Sequence, residues 1–510
     1  MLTAVATVAV TPLAAAPAAH ADIFDLLVDP VMGAVDAGSS AAAPVLDAAA
    51  GSAADVSSAL AAASGGLEQS IQSLIVDSAV GLSQAYITSP VGEVIDGVVN
   101  APSVFLFGRD LIGNGVEAGA ATVGNDSLIG GLAPQLFGNL TDGGYLAGNG
   151  GDGAAGVAGV DGGDGFAGGS AGLIGDGGTG GDAATGGAGG AGGDAGLIGN
   201  GGDGGTGTVD GTASQYGGVG GFAGTLLGSP GVSGAGGPTN VTVPLQINDV
   251  TEPVVDLSVN GGQTIPVLVD SGSAGLVIPI QDLGLAHVGL PTGLGISSYS
   301  GGLTYVYLTF PGTVNFGDGL SSGPTSIDAE LFAFPSSLQG FLQPAQAVGI
   351  LGVGPNADGP GPSLVTTALP GGLSQGVLID EPMNELTFGP PTLPDGISVA
   401  GSPITNLDVS IDDGPAQSVS AIVDSGGVFG TVPSSLLDSG QTSGTLPAGT
   451  TITVFDDQTL LYTYSTTDVV SPTVTSGSLL NTGYVPFSMF PVYIDNAGNG
   501  TTTFYPDALP

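Results

Sequence analysis

The chain has 510 residues, 96 of them glycine, and a formal net charge of −44 with a single basic residue, Arg109. Without lysine there is no Walker P-loop, Schiff-base or pyridoxal chemistry, and without cysteine there is no thiol nucleophile, Cys-ligated zinc or disulfide. The negative charge repels nucleic acid and anionic membranes, and the two histidines, His20 and His287, leave a Ser-His-Asp triad little to build on.

Residues 1–21 are small and apolar and end in Ala19-His20-Ala21, which reads as the core and A-x-A cleavage site of a signal peptide. A positively charged leading segment is missing, so either the true start lies upstream of Met1 or the stretch is an Ala-rich tail. Export is the expectation. Residues 22–108 are Ala-rich, and apolar residues at helical spacing over 55–64 and 67–76 predict two or three short helices.

Residues 109–237 form a low-complexity array with repeats such as Leu111-Ile-Gly-Asn-Gly115 and Leu197-Ile-Gly-Asn-Gly201. Side chains here bury little, so the array is either disordered or ordered by backbone packing. Glycine at every third position suits bundled polyproline II segments, because only glycine permits such close backbone approach. Asp-Gly and Asn-Gly pairs also resemble calcium β-roll repeats, without their clean nonapeptide period. Gly168-Gly-Ser170-Ala-Gly172 fits the G-x-S-x-G pattern but lacks the preceding strand that motif needs.

From 238 to 510 the composition shifts to Val, Ile, Leu, Thr, Phe and Tyr, broken by turn residues every ~8–12 positions, the mark of an all-β domain. Two stretches within it repeat one another. Val267-Leu-Val-Asp270-Ser-Gly272 leads to Val277-Ile-Pro279, and Ala421-Ile-Val-Asp424-Ser-Gly426 leads to Thr431-Val-Pro433. Each puts an aspartate at the end of an apolar run, in a tight turn, before a second apolar run. Two such carboxylates brought together can share one proton and act as general acid and general base. A third copy, Asp438-Ser439-Gly440, lacks the flanking frame and is read as a turn alone.

These two motifs, Leu268-Val-Asp270-Ser-Gly-Ser273 and Ile422-Val-Asp424-Ser-Gly-Gly427, resemble those of pepsin-like aspartic proteases. Further landmarks follow in order. Ser298-Tyr299-Ser300-Gly301-Gly302 looks like the flap, and Val348-Gly-Ile350-Leu351-Gly352 looks like the segment behind the first aspartate. The stretches 363–379 and 384–389 match the helix and strands closing the first lobe. Leu480-Asn-Thr-Gly483, Phe490–Asp495 and Thr503–Pro506 match the closing strands of the second.

The resemblance implies a bilobal, mainly β peptidase domain over 238–510, monomeric, needing neither cofactor nor metal. Asp270 and Asp424 would hold the catalytic water. Ser271 and Ser425 would bond across the axis, Gly272 and Gly426 would donate backbone hydrogen bonds, and Ser273 would support the first aspartate. Tyr299 would close over substrate, with Tyr305 and Tyr307 as alternatives. Gly427 stands where the family has Ser or Thr, and the tryptophan common before the flap is absent. His287 reads as a surface residue.

Val99–Pro102 and Gly108-Arg109-Asp-Leu-Ile-Gly-Asn-Gly115 resemble the junction opening the glycine-rich (PGRS) domain of mycobacterial PE-PGRS proteins, although PE helices are not recognisable. That likeness implies a secreted or cell-surface protein, associated with the cell envelope through its array. Polypeptides, either other surface proteins or the chain itself, are the expected substrates, with apolar residues flanking the cut; nucleic acid is not a partner. The rivals are a structural or immunomodulatory envelope protein with a vestigial protease domain, and calcium-dependent adhesion through the array.

Overall fold

The computed structural model describes residues 72–508 except 120–126, 130–137, 211–212, 215, 285–290, 318–319, 358, 360 and 362–363. The readings placed on 1–21, 55–64, His20 and His287 therefore lie outside the described residues. The chain divides into two compact units, Met1–Ala85 and Tyr86–Pro510. Residues 72–85 of the first are helical.

The second unit opens with the helix Pro90–Phe107, capped where the Gly92 N–H donates to the Ser89 hydroxyl at 2.9 Å. It ends at Gly108, whose φ of 73° is the left-handed stop that glycine adopts without penalty. Asn100 on this helix accepts from the Leu111 and Ile112 N–H groups and donates to the Ile112 carbonyl, fixing the first turn of the array. Arg109, the single cation, donates to the carbonyls of Gly143 and Ala171 and stacks 4.7 Å from the Tyr145 ring centroid. It joins successive coils at their starting edge.

The array is ordered, and its backbone makes the order. Glycine N–H groups three residues apart donate to the next coil: Gly150 to Asp176, Gly153 to Thr179 and Gly156 to Asp182, at 2.7–2.9 Å. A three-residue hydrogen-bond period is that of polyproline II. A second series links Gly143 to Ser170, Ala171 to Asp194 and Ala195 to Phe222. Between the two series, Gly169 donates to Gly151, Gly178 to Gly169 and Gly193 to Gly178. A Cβ on Gly178 or Gly193 would land on a carbonyl oxygen of Gly151 or Gly169, so the triplet glycines are steric requirements. Aspartate and asparagine at the coil turns accept the next coil's N–H, as in Asp176 to Asn149, Asn200 to Asp176 and Ser229 to Asn200. Ser170 takes part in the same ladder, its N–H donating to Asp142, which gives it a structural place. No group of three or more His, Cys, Asp or Glu stands at metal-binding spacing among the described residues.

The last coil abuts the β domain. Tyr216 packs against its hydrophobic core, and Phe222 and Pro230 line a cleft with Pro311 and Pro324.

The β domain is built in two similar halves. A nine-stranded sheet contains Glu252–Val259, Ile265–Asp270, Gly349–Val353, Ala274–Pro279, Thr325–Phe334, Thr304–Gly312 and Gly293–Ser298 in spatial order, with two short strands beside Glu252–Val259. A seven-stranded sheet in the second half is organised around Ile404–Ile411, Gln417–Ile422, Leu480–Asn481 and Thr431–Pro433. In each half a strand runs parallel to the one that leads into a motif aspartate and antiparallel to the one that follows. Gly349–Val353 does so in the first half, with Gly352 opposite Asp270; Leu480–Asn481 does so in the second, with Asn481 opposite Ile422. A six-stranded sheet takes three strands from each half and joins them where Gly376–Asp380 pairs with Val492–Asp495.

Continuous apolar runs follow from burial on both faces: every residue of Ala274–Pro279 is buried. The expected helix in 363–379 appears as two 3-10 turns, Val365–Ala368 and Gly371–Gln375. Pro370 between them, and Gly371-Gly372 opening the second, deny an α-helix its hydrogen bond and its backbone economy. Asp438-Ser439-Gly440 is a turn, with Gly440 at φ 73°.

Gly193→Ala should destabilise the array by about 1–3 kcal/mol through backbone overpacking, read as faster amide hydrogen exchange across neighbouring coils. Val157→Ala, at an exposed position, should leave exchange unchanged. Equal effects from the two would contradict the steric account.

Candidate active site

The strands Ile265–Asp270 and Gln417–Ile422 deliver the two motifs to one place between the lobes. Four hydrogen bonds lock them. The Ser271 hydroxyl donates to the Val423 carbonyl and the Ser425 hydroxyl to the Val269 carbonyl, each at 2.8 Å. In return the Ser425 N–H donates to the Ser271 hydroxyl at 2.8 Å and the Ser271 N–H to the Ser425 hydroxyl at 3.0 Å. Both serines are completely buried, so every one of these donors depends on its partner across the axis.

The carboxyl groups are held on the same two-fold plan. Gly272 N–H donates to Asp270 Oδ1 at 2.8 Å, and Gly426 N–H to Asp424 Oδ1 at 3.1 Å. A side chain on Gly272 would strike the Asp424 carboxyl, and one on Gly426 the Asp270 carboxyl. Glycine is therefore needed here for the close approach of the opposing loop, and the Oδ1 atoms are the inner pair. Ser273 Oγ donates to the outer oxygen, Asp270 Oδ2, at 2.6 Å.

The outer oxygen of Asp424 has a different donor. Gly427 offers no hydroxyl, and the Asn481 amide nitrogen takes its place, donating to Asp424 Oδ2. The sequence reading missed this residue. Its signal was present: a polar side chain in the apolar slot that the first half fills with Ile350, beside a second motif lacking its hydroxyl.

Tyr299 sits at the tip of the hairpin formed by Gly293–Ser298 and Thr304–Gly312. Its N–H donates to the Leu303 carbonyl, and its ring stacks on Tyr305 and Phe341 at centroid distances of 5.4 and 6.3 Å. The Tyr299 hydroxyl is buried without a hydrogen-bond partner. Burial raises its pKa well above the usual phenol value, with the charges of Tyr305 and Asp270 adding to it. Tyr305 is fully buried core, and Tyr307 covers Gly295 on the adjacent strand. His287 lies outside the described residues.

The family of PE-PGRS C-terminal aspartyl peptidase-like domains matches residues 241–504. The chain belongs to that family. PE cleavage protein A of Mycobacterium tuberculosis is 47% identical over 307 residues, covering 55% of this chain and 54% of that protein. PE cleavage protein A of Mycobacterium marinum is 44% identical over 291 residues, covering 52% of each. The chain thus spans about half the length of the curated relatives it matches. A solved aspartic proteinase from Irpex lacteus is similar at 15% identity with a TM-score of 0.39, over 53% of this chain and 99% of that one.

Around the peptidase-like dyad lies a shell of buried acids. Glu252 is pushed up to about 7 by burial first and then by the charges of Asp270 and Asp249. Glu381, whose carboxyl oxygens have no hydrogen-bond partner, is pushed up to about 8 by burial and by Glu252. Asp328 reaches about 6 through burial, although Thr309 donates to it at 2.7 Å. Asp424 itself is raised well above the carboxylate range by burial and then by Asp270.

Each of these acids holds its proton more tightly folded than unfolded. Their stabilisation is complete below the unfolded carboxyl pKa and is lost as pH rises through about 6, 7 and 8. The melting temperature should accordingly fall by roughly 5 °C or more between pH 5 and pH 8, and Glu381→Gln should flatten the decline. A melting temperature that rises over this range would contradict the assignment. Ser271→Ala removes two of the four buried bonds and should lower stability by about 2–4 kcal/mol, measured by denaturant unfolding; a loss below about 0.5 kcal/mol would contradict the lock.

Proposed function

We propose that the β domain is an active aspartic endopeptidase that works outside the cytoplasm, at the cell surface or after secretion. The reading rests on the reciprocal Ser271–Ser425 lock, which holds Asp270 and Asp424 with their inner oxygens toward the opposing loop. Like charges at such short range share a proton and titrate as a unit.

In this mechanism the dyad holds one shared proton at rest, because burial and the facing Asp270 charge disfavour ionisation of Asp424. Asp270 takes a proton from the water that attacks the scissile carbonyl, while Asp424 donates its own to the carbonyl oxygen. The gem-diol collapses as a proton passes to the leaving nitrogen. Gly272, Gly426 and Ser273 keep the oxygens aimed throughout. The flap hairpin carrying Tyr299 closes the cleft over substrate. The names of the curated relatives support PE-type proteins as the substrate class. The ordered array, projecting from the catalytic domain, is the envelope-associated part.

The test is cleavage of a peptide library by the full chain from pH 3 to 8, with and without a statine-type peptide. Asp270→Asn and Asp424→Asn should each reduce kcat by at least about 10⁴-fold while the fold is retained. Loss of rate toward high pH should follow removal of the last shared proton. Undiminished cleavage in either variant, or no statine-sensitive cleavage by the parent, would overturn the proposal in favour of a structural role.

A further inference from the structure

In the first half of the dyad a hydroxyl, Ser273, binds the outer carboxylate oxygen; in the second half the side chain of Asn481 does so. Its amide orientation is fixed independently. The Gly483 N–H donates to Asn481 Oδ1 at 2.8 Å, so Oδ1 must be the acceptor and Nδ2 must face the carboxyl. The Gly483 backbone, two residues along the same strand end, thereby sets the amide plane.

Gly427 is the other half of the arrangement. A Cβ there would meet Asn481 Oδ1 at 2.4 Å and the Asp424 carboxyl at 2.9 Å. Its φ lies outside the left-handed region, so the backbone at 427 accepts any residue. Glycine is present because the Asn481 amide fills the volume a hydroxyl side chain would use. Residues 427 and 481 therefore form one exchangeable unit, split between two segments.

The exchange is not chemically neutral. A hydroxyl both donates and accepts, so it tolerates a proton on either partner; an amide N–H only donates. With Nδ2 aimed at Asp424 Oδ2, that oxygen must keep a lone pair. The Gly426 N–H likewise donates to Oδ1, so both Asp424 oxygens are held as acceptors and the ionised carboxylate is favoured from two sides. We infer that Asn481 is a positioning residue of the dyad, supplying to the outer oxygen of Asp424 the donor that position 427 lacks, with Gly427 as its steric complement. This inference rests on the endopeptidase reading but is decided separately from it.

The charged groups facing this site are Asp270, across the axis, and Glu252, which faces Asp270. Donation from Asn481 lowers the proton affinity of Asp424, as does donation from Gly426. Removing the amide must therefore raise it.

The experiment compares the full chain with Asn481→Ala and with the double variant Gly427→Thr/Asn481→Gly, which moves the donor back to position 427. Two readouts are used. The first is the Asp424 titration followed by carbon NMR on ¹³C-aspartate protein, assigned by loss of the signal in Asp424→Asn. The second is kcat and KM on a cleaved library peptide across pH. In Asn481→Ala the Asp424 midpoint and the alkaline limb of kcat should both move to higher pH, and kcat should fall about tenfold or more with KM within about twofold. The double variant should restore both. An unmoved Asp424 midpoint in Asn481→Ala, or a midpoint that the double variant leaves displaced, would overturn the inference. If Asn481→Ala does not fold, the double variant decides: a parent-like midpoint supports the unit, a displaced one refutes it. Should the parent cleave no peptide, the endopeptidase reading fails while the titration still judges Asn481.

Discussion

The Ser271 and Ser425 hydroxyls each bridge to the opposite half of the β domain, donating to a carbonyl there and accepting an N–H. Because both side chains are sealed from water, breaking one bond strands its partner, and the four behave as a single closure between the lobes. The distance between the motif turns, and so between the carboxyl groups, is set by this closure. The six-stranded sheet joins the same halves from beneath, and the apolar core runs through both. The placing of the two carboxyl groups is thus a consequence of how two similar halves are pinned, with little adjustment left to surface loops.

The array uses a different principle of order. Its side chains are mostly too small to build a core, so packing passes to backbone N–H groups and carbonyls at a three-residue period. Aspartates of the array accept the next coil's N–H groups. Direct packing of Tyr216 on the β core makes the array a continuation of the domain.

The dyad was legible in the sequence because each aspartate carries its frame within ten residues, and the failed third copy at Asp438 showed what the frame is worth. The lobes and the flap hairpin were legible for the same reason, through local apolar runs and turn residues. Order in the array was half legible: the glycine period allowed backbone packing, but only the inter-coil bonds distinguish it from a disordered chain. Asn481 was hidden because its partner in sequence space, Gly427, lies far away, and an asparagine near a strand end normally means a turn. The inward stacking of Tyr299 was hidden because ring contacts with Tyr305 and Phe341 depend on the tertiary fold. The expected helix near 370 failed where proline and two glycines stood in its path.

The central claim is that Asp270 and Asp424 act together on one oxygen. A crystal structure of the full chain bound to a statine-type peptide tests it most directly. The statine hydroxyl should lie within hydrogen-bond distance of both carboxyl groups, with the Ser271–Ser425 bonds unchanged and the flap hairpin lying across the peptide. A peptide bound elsewhere, or touching one carboxyl while the other turns away, would contradict it.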